Sequence, residues 1–206
     1  MLLAKVIASA AARHFPYVCR SEFRGLSQRG GAVQACVRYS RKPITAIIGV
    51  GEADLVLGLD ALESARALPA LKPNGRVVSH DGILPPHHLW RTWQDTSDPE
   101  YESTKLREQT LAHLNRISQV CLLDAGSLAQ RLGNHRVFNF IMLGAASHHL
   151  RLPAESLHGA MGDLLSSTLV ALNIQALKLG RRTSHERRAS ITPFPVHEHT
   201  PWVRGA

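Results

Sequence analysis

Aromatic side chains make up only 5% of this chain, and cysteine occurs three times. No apolar run approaches the roughly 18 residues that would cross a bilayer. Each scarcity removes a class of function. Without aromatics interleaved with basic residues there is no platform for stacking single-stranded nucleic acid. Cys19, Cys36 and Cys121 are far apart and form no CxxC pair. They cannot build a disulfide scaffold, and they fall one short of the four thiolates that usually hold an iron–sulfur cluster. Each lies in an apolar, strand-like stretch, so buried free thiols are expected, as suits a reducing cytoplasm. At the N-terminus, MLLAKVIASAAARHF has a short apolar core that Lys5 interrupts. It reads as a helix with Leu2, Leu3, Val6, Ile7 and Ala10 on one side, not as a signal peptide.

What is present is an ordinary globular composition with a basic excess. Hydrophobic residues are 44% of 206, enough for one α/β domain, and the formal charge is +8. The excess is diffuse. Residues 181–206 carry +3 of it, with Arg181, Arg182, Arg187, Arg188 and Arg204 against Glu186 and Glu198, and the rest of the chain carries +5. That pattern belongs to a solvated or acidic-partner surface more than to a nucleic-acid groove. The segment is rich in Arg, His, Ser and Pro without apolar periodicity. We expect a disordered tail there, after a folded domain over residues 1–180.

Along the chain, residues 2–14 read as a helix stopped before Pro16. PYVCRSEF and GAVQACVRYS read as strands about a Gly30-Gly31 turn, and ITAII as a third strand piece. ADLVLGLD is a near-continuous apolar run of strand length, as in a parallel strand covered on both faces. ALESARALPAL is a helix, KPNG a turn and RVVSH a strand. TKLREQTLAHLNRI is helical, SQVCLLDAG a buried strand and SLAQRLGN a short helix. Then come HRVFNFIMLGAASHHLR, AESLHGAMGDLL opened by Pro153, and SSTLVALNIQALKLG, all helical. This alternation predicts an α/β, Rossmann-like fold with a mostly parallel sheet and helices on both faces. Gly144 and Ala145 should permit close helix packing.

The chemistry-bearing residues are few. Asp54, Asp60, Asp81 and Asp124 fall at or near strand ends, where α/β folds place ligands. Asp60 and Asp124 read best as caps of the following helices. Twelve histidines include the neighbours His87-His88 and His148-His149, which do not face one ligand together, and His197 with His199 in the tail. No metal site is assigned. Trp90 and Trp93 form an aromatic patch in a Pro-rich connection, as a packed loop or a partner-facing anchor. No Ser-His-Asp or Cys-His set can be assembled from spacing.

Three collinear blocks carry a resemblance: EFRGLSQRGGAVQACVR, GEADLVLGLDALESARALPALKPNGRVV and LLDAGSLAQRLGNHRVFNFIMLGAA. Together they resemble the gamma-type module of the 2-oxoacid:ferredoxin oxidoreductases, of the kind found in the beta subunit of the indolepyruvate enzymes. The similarity spans residues 2–180. It implies a subunit of a thiamine diphosphate-dependent enzyme that oxidatively decarboxylates a 2-oxoacid to an acyl-CoA and passes electrons to ferredoxin. It also implies that thiamine diphosphate, Mg and iron–sulfur clusters sit on a larger partner chain, since no GDG-type thiamine motif is visible here. Relatives open with a strand and a GxGGQG-type loop. This chain starts inside the following helix, so either an upstream start, a rearranged strand or a partner is expected to fill that place in the sheet.

Against this background the turn Gln28-Arg29-Gly30-Gly31, with Arg24 beside it, admits three readings. It is a tight turn braced by Arg29, a contact in which Gln28 and Arg29 face the thiamine-bearing chain, or an anion site where Arg24 and Arg29 hold a CoA phosphate or substrate carboxylate. Asn134 and Asn139 lie in the third matched block. The Asn139 amide, in an apolar helix, is expected to tie that helix to a neighbouring loop. A stand-alone nucleotide- or CoA-binding protein and an inactive scaffold are the alternatives to the subunit reading.

Overall fold

The computed structural model describes residues 2–24, 32–84 and 98–190, the side chains of 185–190 excepted. Helix α1 (Leu2–Ala12) buries Leu3, Val6, Ile7 and Ala10, the spacing of one helical face. Strands β1 (Tyr17–Arg24) and β2 (Val33–Ser40) form an antiparallel hairpin whose ladder runs from Tyr17↔Ser40 to Arg24↔Val33. β3 (Ala53–Gly58), β4 (Leu71–His80) and β5 (Val120–Leu123) make a parallel sheet in the order β3-β4-β5. Between them lie α2 (Ala61–Ala67), a 3-10 turn at Leu68–Ala70, and α3 (Pro99–Leu114). After β5 come α4 (Ala125–Arg131), a 3-10 turn at His135–Val137, α5 (Phe138–Ser147), α6 (Ala154–Leu164) and α7 (Ser167–Ser190).

Alternation along β4 explains why both faces of the parallel sheet are covered. Successive side chains point to opposite faces. Val78 joins the larger core, with Leu3, Val6, Leu123, Ile141, Leu157 and Leu177. Val77 joins a smaller one with Val56, Ala61 and Leu114, under α2 and α3. Each fully buried Val or Leu is worth about 1.5–3 kcal/mol, so the larger side dominates. Ser64 and Ser79, both buried, share a 2.7 Å hydrogen bond that pins α2 to β4.

Three expectations change. ITAII is not a strand. It crosses one face of the hairpin, where Ser21 Oγ donates to the Ala46 carbonyl at 3.0 Å and Arg38 donates to the Ile47 carbonyl. KPNG does not separate a helix from a strand; it lies inside β4 as an irregularity. Between Ala53↔Leu71 and Leu55↔Arg76, β3 advances two residues while β4 advances five. Pro73 has no N–H to give a ladder, so the extra residues gather where it stands. The boundary expected at residue 180 falls inside α7, which continues through Ser190. The remainder of the expected tail, residues 191–206, lies outside the described residues.

Helices α5 and α7 cross through two glycines. A Cβ on Gly144 would overlap the Leu177 carbonyl, and one on Gly180 would overlap the carbonyl of Ile141. His148 Nε2, 3.1 Å from the Arg181 carbonyl, donates across the same junction. Gly180→Ala should therefore cost about 2–3 kcal/mol through overpacking against backbone. Gly162→Ala in α6, where a Cβ meets nothing within 4 Å, should be neutral or stabilise by up to about 1 kcal/mol. Urea unfolding of both variants checks the contrast.

Tyr39 stacks at 5.0 Å against Phe15 and donates its hydroxyl to the Leu150 carbonyl. Burial, then the Asp54 charge, pushes its phenol up to about 12, with Arg151 opposing. The folded state thus keeps a proton that the unfolded chain loses near the usual value of 10.0. Stability from Tyr39 is complete below pH 10 and falls between pH 10 and 12. In Tyr39→Phe this alkaline loss should shrink, as measured by thermal unfolding from pH 9 to 12.

Candidate functional site

Just past the carboxyl ends of β3, β4 and β5 stand Asp60, Asp81 and Asp124. Asp60 follows β3 and caps α2, with Oδ1 accepting from Glu63 N at 2.9 Å. Its Oδ2 accepts from Leu84 N, so the same carboxylate ties down the connection after β4. Asp124 follows β5 and caps α4, with Oδ1 2.9 Å from Ser127 N and Oδ2 bonded to Ser127 Oγ. The hydrogen bonds from Ser127, with a smaller contribution from His80, hold its carboxyl below the usual value of 3.8 against a weak desolvation effect. The capping expected for both aspartates is what the structure shows.

His80, the last residue of β4, stands opposite Leu123 in the ladder. Its Nδ1 lies 3.0 Å from the Leu123 carbonyl and donates to it, so in the neutral ring Nε2 carries the lone pair. Phe138 meets the ring edge-on at 5.0 Å. Asp81 comes next. Its Oδ1 is 3.5 Å from His80 Nδ1, and its Oδ2 is 3.3 Å from Arg107 Nη2. Arg107 Nε also donates to the Asp81 carbonyl at 2.9 Å, fixing α3 to this edge. Side chains of His80 and Asp81 are 18% and 24% exposed, partly sheltered but within reach of solvent. Asp54 takes no part; it pairs at 2.8 Å with Lys72 at the opposite end of the sheet.

The remaining predicted residues are dispersed. Arg24 ends β1 with its side chain 69% exposed, 4.0 Å from Glu22. Gln28, Arg29, Gly30 and Gly31 lie outside the described residues, as do Trp90, Trp93, His87, His88, His197 and His199. Asn134 is a cap: its Oδ1 accepts from Arg136 N at 2.9 Å and starts the 3-10 turn before α5. Asn139, half-buried, is the second residue of α5. The three cysteines are free thiols, with Cys36 buried and the other two half-buried. His80 was missed by sequence reasoning. Its only signal was position, at the end of an apolar strand and one residue before an aspartate.

This is a Rossmann-like α/β domain with a hairpin attached. Residues 1–183 match the family model described as pyruvate ferredoxin/flavodoxin oxidoreductase, and the chain belongs to that family. It is 33% identical over 177 residues to indolepyruvate oxidoreductase subunit IorB of Methanothermobacter thermautotrophicus, covering 85% of this chain and 86% of that one. It is 28% identical to the IorB subunit of Archaeoglobus fulgidus, covering 90% and 89%. Among solved structures it resembles the gamma subunit of a keto/oxoacid ferredoxin oxidoreductase from Geobacter sulfurreducens, with a TM-score of 0.61 at 18% identity over 90% and 91% of the chains. That last likeness is one of fold alone.

Asp124→Ala should cost about 1 kcal/mol through the lost cap, and Asp124→Asn less, because an amide oxygen still accepts from Ser127. The carboxyl is held low, so the charged form's advantage over Asn is present above pH 3.8 and lost as pH falls through the folded value. Urea titrations at pH 7 and pH 3 should show the Asn variant converging on the parent at the lower pH.

Proposed function

We propose that this chain is the small, non-cofactor subunit of a thiamine diphosphate-dependent 2-oxoacid:ferredoxin oxidoreductase acting on an aryl 2-oxoacid such as indolepyruvate. The observation that carries the reading is end-to-end correspondence with a subunit of that name: 33% identity with 85% and 86% of the two chains aligned. Most of each chain is matched, which supports carrying over the role of that subunit as a unit. Composition supports the division of labour. Three cysteines, set in β1, β2 and β5, do not supply the four thiolates of a cluster. In this reading thiamine diphosphate, Mg and the iron–sulfur clusters belong to a larger partner chain, as the family resemblance implies, and ferredoxin meets the complex through it. When bound there, thiamine diphosphate supplies the carbanion-stabilising chemistry.

In this reading the subunit shapes a pocket at the junction. The hairpin brings Arg24 to its outer end, and Gln28, Arg29, Gly30 and Gly31 lie in the sequence between its two strands. Phe23 and Val33, at the outer end of the ladder, are 49% and 54% exposed on opposite faces of the ribbon, apolar surface a partner would cover. Arg24, and Arg29 in the sequence between the two strands, are cations suited to a CoA phosphate or a carboxylate.

Co-expression with a thiamine- and iron–sulfur-bearing large chain tests the assignment. A brown complex that oxidises indolepyruvate with CoA and ferredoxin is the expected result. Arg29→Ala should weaken assembly or raise the CoA requirement about tenfold, the effect of losing an interface arginine, and leave the thermal unfolding of the isolated chain unchanged. Turnover of a keto acid by the purified chain alone would overturn the reading.

A further inference from the structure

Among the described residues, His80, Asp81 and Asp124 each offer a ligand atom, and these atoms all lie within 4.8 Å of one another. Their convergence comes from the fold. His80 and Asp81 end β4, Asp124 follows β5, and the parallel register His80↔Leu123 brings the two strand ends level. We propose that these three side chains form a binding site for one borderline divalent metal ion of the Zn2+ or Mn2+ type. The site is independent of whether the chain assembles with a large subunit.

The donor set is one imidazole and two carboxylates, which suits such ions better than a purely oxygen site would. Each donor has the outer partner that a ligand needs. His80 gives Nδ1–H to the Leu123 carbonyl at 3.0 Å, which leaves the Nε2 lone pair for an ion. Asp81 presents Oδ2 to Arg107 at 3.3 Å, and its Oδ1 lies 3.5 Å from His80 Nδ1, at the edge of the same ring. Ser127 holds Asp124 with one bond to each oxygen. A carboxylate has about four acceptor positions, so each oxygen retains a lone pair.

Two glycines keep the space open. A Cβ on Gly82 would stand 2.5 Å from His80 Nε2, on the nitrogen that has no other task. A Cβ on Gly126 would lie 3.4 Å from Asp124 Oδ1 and 3.9 Å from the His80 ring. The local charge is consistent with a cation. Two carboxylates against one guanidinium leave the neutral-His cluster at minus one, and Arg107 keeps the site from being so acidic that it would require an ion to fold. Three protein ligands leave coordination positions for water or for an oxygen of a ligand at the sheet edge.

The test uses the purified full chain, calorimetric titration with Mn2+ and Zn2+, and Mn2+ paramagnetic resonance. We expect saturable binding of one ion per chain. Affinity should drop at least tenfold in His80→Gln and in Asp124→Asn, whose folds are checked by circular dichroism. It should be unchanged when His197 and His199 are both replaced by Ala, because the tail histidines are the obvious adventitious chelators. Absence of saturable binding, persistence of binding in both His80→Gln and Asp124→Asn, or its loss with the tail histidines would each overturn the proposal.

Discussion

The close crossing of α5 and α7 at Gly144 and Gly180 is the constraint on which the rest of the molecule depends. Each glycine lies against a carbonyl of the other helix, so no side chain larger than hydrogen fits at either place. The contact sets the depth of α5, whose residues from Phe140 to Ser147 are all buried. That helix is the floor on which the parallel sheet and α1 rest, since Val78, Leu123 and Val6 meet Ile141 and its neighbours in one continuous core. Interiors are packed at crystal-like density, so a displacement of one helix cannot be absorbed locally. It would be passed to β4 and β5, and with them to the strand ends where His80 and Asp124 meet.

Stability and site geometry are therefore coupled at the sheet's carboxyl edge. Asp60 and Asp124 cap helices on opposite sides of His80, and Arg107 binds Asp81 from a third element, α3. Each interaction is ordinary in energy, about 1 kcal/mol. Collectively they hold three polar side chains facing one small space that two glycines leave open. An arrangement that served capping alone would need neither glycine there, nor a histidine at the end of an apolar strand.

Some of this was legible in the sequence, for local reasons. Asp60 and Asp124 announced themselves because a cap is decided by the next three residues. β3 and β5 were visible as apolar runs because strands covered on both faces contain little else. Gly144 stood out because a glycine inside an apolar helix is costly unless something approaches it closely. The misread segments turn on longer-range physics. The ITAII piece has strand composition, but side chains of the hairpin claim its carbonyls, so it cannot make a ladder. KPNG has turn composition, yet its register is set by β3 across the sheet. The His80 cluster joins residues 44 positions apart through a strand register that no local pattern encodes.

The hairpin completes the picture because it is built differently from the sheet. β1 and β2 pair with each other and, among the described residues, with no third strand. A two-stranded ribbon is marginal in water unless something else holds it. Here the base is held: Val18, Val37 and Tyr39 pack on the main core, and Cys36 is buried. On one face Cys19, Ser21 and Arg38 bond to the crossing segment from Ile44 to Ile47. Among the described residues no such bond reaches the outer end, and Phe23, Arg24 and Val33 are exposed there. A ribbon anchored at its base and bare at its end costs solvation that the isolated chain does not recover. The ribbon is thus steadied at its base by the main core and by the crossing segment, while Phe23, Arg24 and Val33 at its other end face solvent.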